Sequence, residues 1–180
     1  CFGIDATGTA TDQVRIGNVF VNSIGGQVGW TTLSDARFKE NVQSNVPGLS
    51  FITQLNPVTY QVNRDKVNAF IGINPSMTGE TLSDVTTGFI AQEVEAAAKK
   101  AGFTFSGVDV PKNENDYYGL RYAEFTVPLV KAIQELAAQN EEQKKINEAL
   151  EKEIEEPPGP SDVPAMIIKC SLFLRISCLE

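Results

Sequence analysis

Alternating apolar and polar residues predict short β-strands at the beginning of the chain. The alternation runs through residues 14–21, and Gly25-Gly26 marks a turn before a further apolar pair, Val28 and Trp30. Residues 1–33 carry almost no charge and contain too few large apolar side chains for a compact core of their own. Short strands of this kind often end a fibre in which three chains share one core. We therefore predict that 1–33 is the end of a β-rich fibre shaft, with an ordinary N-terminal hairpin as the alternative.

The pattern changes at Ser34, and residues 34–128 predict a small globular domain of the α+β class. We predict helices over 36–42, 49–55 and 91–101, because apolar residues recur at helical spacing and Asn56-Pro57 and Gly102 provide ends. Strands are predicted over 58–62 and 103–110. Residues 63–87 are polar and are expected to form a loop.

The predicted core of this domain lies between the second and third of these helices. One side is expected to comprise Phe89, Ile90 and Val94. The other side is expected to comprise Leu49, Ile52 and Leu55, and Tyr60 is expected to cover the edge.

Residues 124–156 predict one long helix, and residues 129–156 of it carry a heptad pattern. Steps of four and three residues place eight side chains on one face, which is apolar at both ends and amide-lined in the middle: Leu129, Ile133, Leu136, Asn140, Gln143, Asn147, Leu150 and Ile154. We call this face the seam. So thin an apolar stripe does not stabilise a helix alone. We predict a parallel trimeric coiled coil whose register is fixed by the amides. A charged helix packed on its own domain is the alternative.

The last segment, residues 157–180, differs from the helix before it. Pro157-Pro158-Gly159-Pro160 ends the helix, and the heptads do not continue. We expect this tail to be disordered or a non-native extension. Its apolar stretch 166–179 is short and is interrupted by Lys169 and Arg175, so no membrane span is predicted. The chain starts with Cys1 rather than Met, which suggests a piece of a longer protein.

The charge and the absence of histidine exclude several classes of function. The chain has 15 basic and 23 acidic residues and a net charge of −8, which disfavours nucleic acid as a partner. Without histidine, neither a Ser-His-Asp triad nor a His-liganded zinc site can form. The spacing of Asp109, Glu114 and Asp116 matches no calcium-binding loop, so no metal and no cofactor is predicted.

Each of five short segments is a weak indication of a protein family when taken alone, but their occurrence together in a fixed order is specific. They are Ser34-Asp35-Ala36-Arg37-Phe38-Lys39, Leu55-Asn56-Pro57-Val58-Thr59-Tyr60, Gly88-Phe89-Ile90-Ala91-Gln92-Glu93-Val94, Tyr118-Gly119-Leu120-Arg121-Tyr122 and Pro128-Leu129-Val130-Lys131. Over about residues 30 to 150, the chain resembles the intramolecular chaperone domain of phage endosialidases and tail fibres. The same self-cleaving domain occurs in myelin regulatory factor.

The resemblance implies a C-terminal chaperone of a fibre or tailspike precursor. In this family the domain forms a homotrimer, assists folding of the upstream shaft of the same chain, and then releases itself by autoproteolysis. Carried over to this sequence, Ser34 and Lys39 are the catalytic pair, and the bond between Leu33 and Ser34 is the cleavage site. The implied activity is that of a single-turnover serine endopeptidase. The implied location is a phage tail-fibre precursor or a bacterial surface, with assembly in the host cytoplasm.

The residue types themselves allow this chemistry. A serine nucleophile needs a base, and a lysine is the plausible one in a chain without histidine. A lysine base must be neutral, so its pKa must fall from about 10.4 towards neutrality through burial or a nearby cation, for which Arg37 is in position. The structural alternative is that Asp35 caps a helix and pairs with Lys39, which would keep the lysine charged. Residues five apart diverge on a regular helix, so Ser34 must precede the helix.

Two other functions remain open from the sequence. One is a permanent structural cap with the same fold and trimer but without cleavage. The other is a membrane-linked regulator of the myelin regulatory factor type, although the acidic chain carries no DNA-binding module. Cleavage distinguishes the cap from the self-releasing chaperone.

Overall fold

Small antiparallel sheets, several short helices and one long helix make up the regular structure of the described residues. The computed structural model describes residues 1–3, 6–18, 21, 23–73 and 82–155. Its helices are α1 Leu49–Ile52, α2 Arg64–Phe70, α3 Ala91–Lys100 and α4 Thr126–Glu155, with 3-10 helices at Ala36–Phe38 and Tyr122–Phe125. Its strands are β1 Val58–Tyr60, β2 Thr86–Gly88, β3 Val108–Asp109 and β4 Gly119–Leu120. The predicted α+β class with a long C-terminal helix is confirmed.

Two compact units divide the chain, Cys1–Ile133 and Gln134–Glu180. The first unit contains both sheets, in which β1 pairs antiparallel with β2 and β3 pairs antiparallel with β4. The β1–β2 pair depends on glycine at position 88, because a Cβ there would lie 2.3 Å from the Tyr122 hydroxyl. That hydroxyl accepts a hydrogen bond of 3.2 Å from the backbone N–H of Phe89, so it is held at this place.

The end of α3 shows how the local sequence directs the chain back to the core. Gly102 adopts a positive φ of 63° directly after the helix. Its N–H donates to the carbonyl of Lys99, and the N–H of Phe103 donates to the carbonyl of Ala98. This pair of bonds is the Schellman motif, which glycine permits because it has no Cβ. The turn brings Phe103 against the core.

The core is an aromatic cluster closed by α3. Phe51 is completely buried and lies 5.4 Å from the ring of Phe103 and 5.0 Å from that of Phe105. Phe125, at the beginning of α4, packs on Phe105 with a ring separation of 4.8 Å. The α3 residues that close the cluster are Val94, Ala97 and Ala98. Aromatic pairs at these separations stabilise a core beyond their burial alone.

The predicted core is partly correct. Phe89, Ile52 and Leu55 pack against the cluster around Val94 as expected. Ile90 is 41% exposed, so its assignment to the core is wrong; it caps the N-terminus of α3 instead. The predicted core lacks Phe51, which is completely buried, because Leu49, Ile52 and Leu55 recur at helical spacing and Phe51 falls outside that spacing.

Several predicted elements differ from the structure. The predicted loop 63–87 contains α2 and most of the strand β2. The polar sequence does not indicate these two elements, because most of their residues are exposed or half-buried. Asn63 starts α2, since its side chain accepts from the N–H of Lys66 at 2.9 Å. The predicted strand 103–110 is reduced to Val108–Asp109, because Phe103 and Phe105 both turn into the core.

The N-terminal segment also differs from its prediction. Among the described residues before Ser34, the pairing is a single bridge between Phe2 and Ile16 rather than a set of strands. The predicted strand residue Val19 and the tail 157–180 lie outside the described residues. The predicted helix 36–42 is the 3-10 helix Ala36–Phe38.

We expect Phe51→Ala to lower the free energy of unfolding by about 3–5 kcal/mol, because it opens a cavity inside the aromatic cluster. Phe38→Ala, at a 67% exposed phenylalanine, is the matched control and should change stability by less than about 1 kcal/mol. Denaturant titration followed by circular dichroism measures both. Equal effects of the two substitutions would contradict the assigned core.

Candidate active site

The residues of the predicted cleavage site lie on a single tight turn. Ser34 precedes the 3-10 helix Ala36–Phe38, and Asp35 caps this helix by accepting from the N–H of Arg37 at 2.9 Å. Lys39 follows the helix in extended conformation, with φ −105° and ψ 124°. One short turn therefore reverses the chain between the serine and the lysine.

The turn brings Ser34 and Lys39 into direct contact. Lys39 Nζ donates a hydrogen bond of 2.8 Å to Ser34 Oγ. This separation is within the range in which a general base takes a proton from a hydroxyl. On a regular α-helix the two side chains would point in different directions. The contact forms because a helix of only three residues separates Asp35 from Lys39, and both of these flanking residues are extended.

Asp35 and Arg37 pair with each other beside this contact. The guanidinium of Arg37 donates to both carboxylate oxygens of Asp35, at 2.6 Å from NH2 and 3.0 Å from Nε. The hydrogen bond from the Arg37 side chain is the main cause that lowers the pKa of Asp35, and the same bond raises the pKa of Arg37. The alternative pair of Asp35 with Lys39 is not the arrangement found. Asp35 pairs with Arg37 instead, and Lys39 contacts Ser34.

The turn lies open to solvent in the single chain. Leu33 is 76% exposed, Ser34 and Lys39 are exposed, and the apolar Phe38 and Val42 beside them are exposed as well. The contact between Ser34 and Lys39 is therefore present in one chain, although neither residue is buried there.

The seam on α4 is exposed along its whole length. Ile133 is 65% exposed and Ile154 is 78% exposed, while the three leucines of the seam are each close to half exposed. In its middle, Gln143 Nε2 donates to Asn147 Oδ1 at 2.9 Å, one turn further along the helix. The apolar and amide side chains of the seam are therefore not covered by the described part of the same chain.

A buried carboxylate joins the N-terminal segment to the loop before β4. Asp116 is 7% exposed, and its Oδ1 accepts from the Thr9 hydroxyl at 2.5 Å and from Gln13 Nε2 at 3.4 Å. Its Oδ2 accepts from the N–H of Lys112 at 3.1 Å, and the Arg15 guanidinium lies 3.9 Å from Oδ1. From the sequence, Asp116 is a candidate cation ligand only. Its partners Thr9 and Gln13 are about a hundred residues away in the chain, so no local signal indicates them.

The other acidic candidates do not assemble. Asp109 pairs with Arg121 across the β3–β4 sheet instead of joining Asp116. Within residues 1–3, 6–18, 21, 23–73 and 82–155, no group of three or more His, Cys, Asp or Glu side chains could hold a metal ion. In that same part of the chain, no helix has the length and apolarity that crossing a membrane requires.

Comparison with known protein families identifies the segment that contains Ser34 and Lys39. Residues 34–103 match the model of a peptidase family described as chaperone of endosialidase. The match begins at Ser34, covers less than half of the chain, and includes α1 to α3. Neither the comparison with curated proteins nor the comparison with solved structures gave a match. The resemblance inferred from the sequence is confirmed for this segment, and it supports a chaperone role.

The stability that Asp116 contributes should depend on pH in acid. The hydrogen bond from the Thr9 hydroxyl, followed by that from the Lys112 N–H, lowers the pKa of Asp116 from 3.8 to about 2. A carboxyl whose pKa is lower in the folded state stabilises the fold above its unfolded pKa. The stability difference between the wild type and Asp116→Asn should be constant at neutral pH and shrink as the pH falls from about 4 towards 2. Thermal unfolding across this range measures it, and a difference independent of pH would contradict the assignment.

Proposed function

We propose, from the membership of residues 34–103 in the chaperone-of-endosialidase family, that this chain is a C-terminal intramolecular chaperone that trimerises and then releases itself. The hydrogen bond of 2.8 Å between Lys39 Nζ and Ser34 Oγ is the observation that carries the self-cleavage, because it joins a nucleophile and a base at the start of the family match. The upstream partner is a fibre or tailspike shaft of the same chain, in a phage tail-fibre precursor.

The chemistry is an acyl shift followed by hydrolysis. Lys39 Nζ takes the hydroxyl proton of Ser34 as Oγ attacks the carbonyl carbon of Leu33. The peptide C–N bond breaks, and the lysine returns the proton to the α-nitrogen of Ser34. The product is an ester between the Leu33 carbonyl and Ser34 Oγ, with a free α-amine. One water then opens the ester, which leaves a carboxylate on Leu33 and restores the serine hydroxyl.

Assembly supplies what the single chain lacks. The proton transfer needs a neutral amine, and burial disfavours the ammonium form of a lysine. In the single chain the turn from Leu33 to Lys39 is exposed and carries the apolar side chain of Phe38 on its surface. A neighbouring chain that covers this turn would desolvate the dyad. Cleavage would then follow assembly and report that assembly is complete.

The seam is the proposed contact between the three chains. A helix whose apolar residues are spaced by four and three residues buries them in a coiled coil. The apolar layers at Leu129, Ile133 and Leu136 would supply most of the binding free energy. The amide layers at Asn140, Gln143 and Asn147 would set the register at some cost in stability.

We propose the following organisation for the chain. Residues 1–33 end the shaft, 34–128 form the chaperone domain, 129–156 form the coiled coil, and 157–180 are a tail. The competing function is a permanent trimeric cap that is never cleaved. The contact between Ser34 and Lys39 favours the self-releasing form, since a permanent cap has no need of a base beside this serine.

Ser34→Ala and Lys39→Arg should each abolish cleavage and leave the oligomeric state unchanged. The first removes the nucleophile, and the second replaces the base by a guanidinium, which keeps its proton at any usable pH. Electrophoresis and mass spectrometry of freshly expressed protein should show a fragment ending at Leu33 for the wild type and a single species for both variants.

Matched controls for the dyad are Ser44→Ala and Lys66→Arg, which make the same changes at exposed positions outside the turn. Both should cleave like the wild type. Normal cleavage of Lys39→Arg would show that the lysine is not the base. A wild type that stays intact in its native trimer would favour the permanent cap.

Ile133→Asp should give an uncleaved monomer, because it places a charge in the proposed seam. The side chain is 65% exposed in the single chain, so the substitution should leave the globular unit folded. Ala138→Asp is the control, since Ala138 is exposed and lies outside the seam. Sedimentation equilibrium should show a trimer for the wild type and for Ala138→Asp. If Ile133→Asp were a monomer and were still cleaved, cleavage would not depend on assembly.

A further inference from the structure

The contact around Asp116 links two parts of the chain that the proposed cleavage would separate. On one side are residues of the N-terminal segment, and on the other are residues of the loop before β4. We call it the Asp116 contact, and its members are Thr9, Gln13, Arg15, Lys112, Asn113, Asp116 and Tyr117.

Several interactions of different kinds make up this contact. The Asp116 carboxylate accepts from the Thr9 hydroxyl and from the Gln13 amide. Asn113 Nδ2 donates to the backbone carbonyl of Thr9 at 3.1 Å. The Arg15 guanidinium lies 5.0 Å above the ring of Tyr117 and close to the carboxylate. Hydrogen bonds to a buried charged group are stronger than those between neutral groups.

The N-terminal side of the contact is itself preorganised. Gln13 Oε1 accepts from the N–H groups of Thr9 and Ala10, at 3.1 and 3.2 Å, which closes the turn 9–13. The same side chain donates from Nε2 to Asp116. The segment thus presents a closed loop to the carboxylate, and little further ordering is needed when it binds.

The proposed scissile bond lies outside this contact. Leu33 follows Arg15 by eighteen residues, and Val28, Trp30 and Leu33 between them are highly exposed. The Leu33–Ser34 bond carries none of the hydrogen bonds of the Asp116 contact. Breaking it removes the covalent connection and leaves these interactions in place.

We propose that cleavage does not itself separate the products, and that residues 1–33 stay bound to the chaperone domain through the Asp116 contact. This inference rests on the proposed cleavage between Leu33 and Ser34. The hydrolysis consumes one water and yields a carboxylate on Leu33 and an amine on Ser34. Release of the shaft end is then a second step, which requires the contacts to Asp116 to open.

Trimerisation strengthens this retention. Sites that are linked to one another bind with an effective concentration on the order of millimolar. In a trimer the three shaft ends are joined to one another and the three chaperone domains are joined through their helices. Three Asp116 contacts must then open together, so the release is slower than the opening of one contact.

The test uses the full chain after it has cleaved itself. For the wild type, size-exclusion chromatography and native mass spectrometry should find the fragment 1–33 with the remainder of the chain. For Asp116→Asn, which keeps the shape and removes the charge, the cleaved fragment should elute separately. Glu114→Gln is the control, because it removes a charge from an exposed side chain of the same loop and should retain the fragment.

A second readout does not depend on cleavage. In uncleaved Ser34→Ala, the amides of Lys112, Thr9 and Ala10 are hydrogen-bonded and should exchange slowly with deuterium. Adding Asp116→Asn should accelerate exchange at Lys112 by at least about tenfold, while amides of α3 remain protected and show that the core is folded.

The outcomes separate this inference from the proposed function. A wild type that is never cut contradicts the self-cleavage, whatever the exchange at Lys112. Cleaved wild type whose fragment separates at once overturns the retention while the cleavage stands. Retention that is equal in wild type and Asp116→Asn also overturns it, since the carboxylate would then not hold the fragment.

Discussion

The packing around Phe51 is the interaction on which the structure of the globular unit depends. Phe51 belongs to α1, and its ring packs against the end of α3 and against the aromatic residues that follow α3. Phe125 extends the same cluster to the beginning of α4. One group of aromatic rings therefore connects α1, the segment that follows α3 and the residue that precedes α4, although the secondary structure of the unit is sparse.

The candidate active site does not share this burial, and its position explains its proposed regulation. Ser34 and Lys39 meet on an exposed turn before the core begins, so their distance is determined locally by a three-residue 3-10 helix. Under the proposed function, the reactivity of the pair depends on solvent exclusion, which a local turn does not provide. Because the contact geometry does not depend on burial, the chain would hold both residues in place without cleaving until other chains cover them.

In the proposed function, the segment 1–33 is held to the rest of the chain by two different means. At Ser34 the connection is a covalent bond next to a serine and a lysine, and at Asp116 it is a set of hydrogen bonds around one carboxylate. A covalent bond is lost once and irreversibly, whereas hydrogen bonds reopen at equilibrium. Under the proposed function, a chain that uses both would complete its chemistry while it still holds the segment that it has folded.

The sequence alone determined the elements that depend on local patterns. The heptad steps from Leu129 to Ile154 predicted the long helix, and Gly102 predicted the end of α3, because helical spacing and a positive φ are local properties. Five short segments in order, the first of them running from Ser34 to Lys39, indicated the family and the candidate pair, and the match over residues 34–103 confirms the family for that segment. Polarity, however, concealed α2 and β2, since their residues are mostly exposed or half-buried and resemble a loop.

The tertiary structure decided the features that need distant residues. The burial of Phe51 depends on Phe103 and Phe105, which lie about fifty residues later in the chain. The hydrogen bonds of Asp116 to Thr9 and Gln13 cross a still longer separation, and the spacing of residues within the loop does not indicate these partners. Apolar and charged periodicities report which face of a segment is buried, but they carry no information about which other segment covers it. That choice follows from shape and hydrogen bonding in the folded chain.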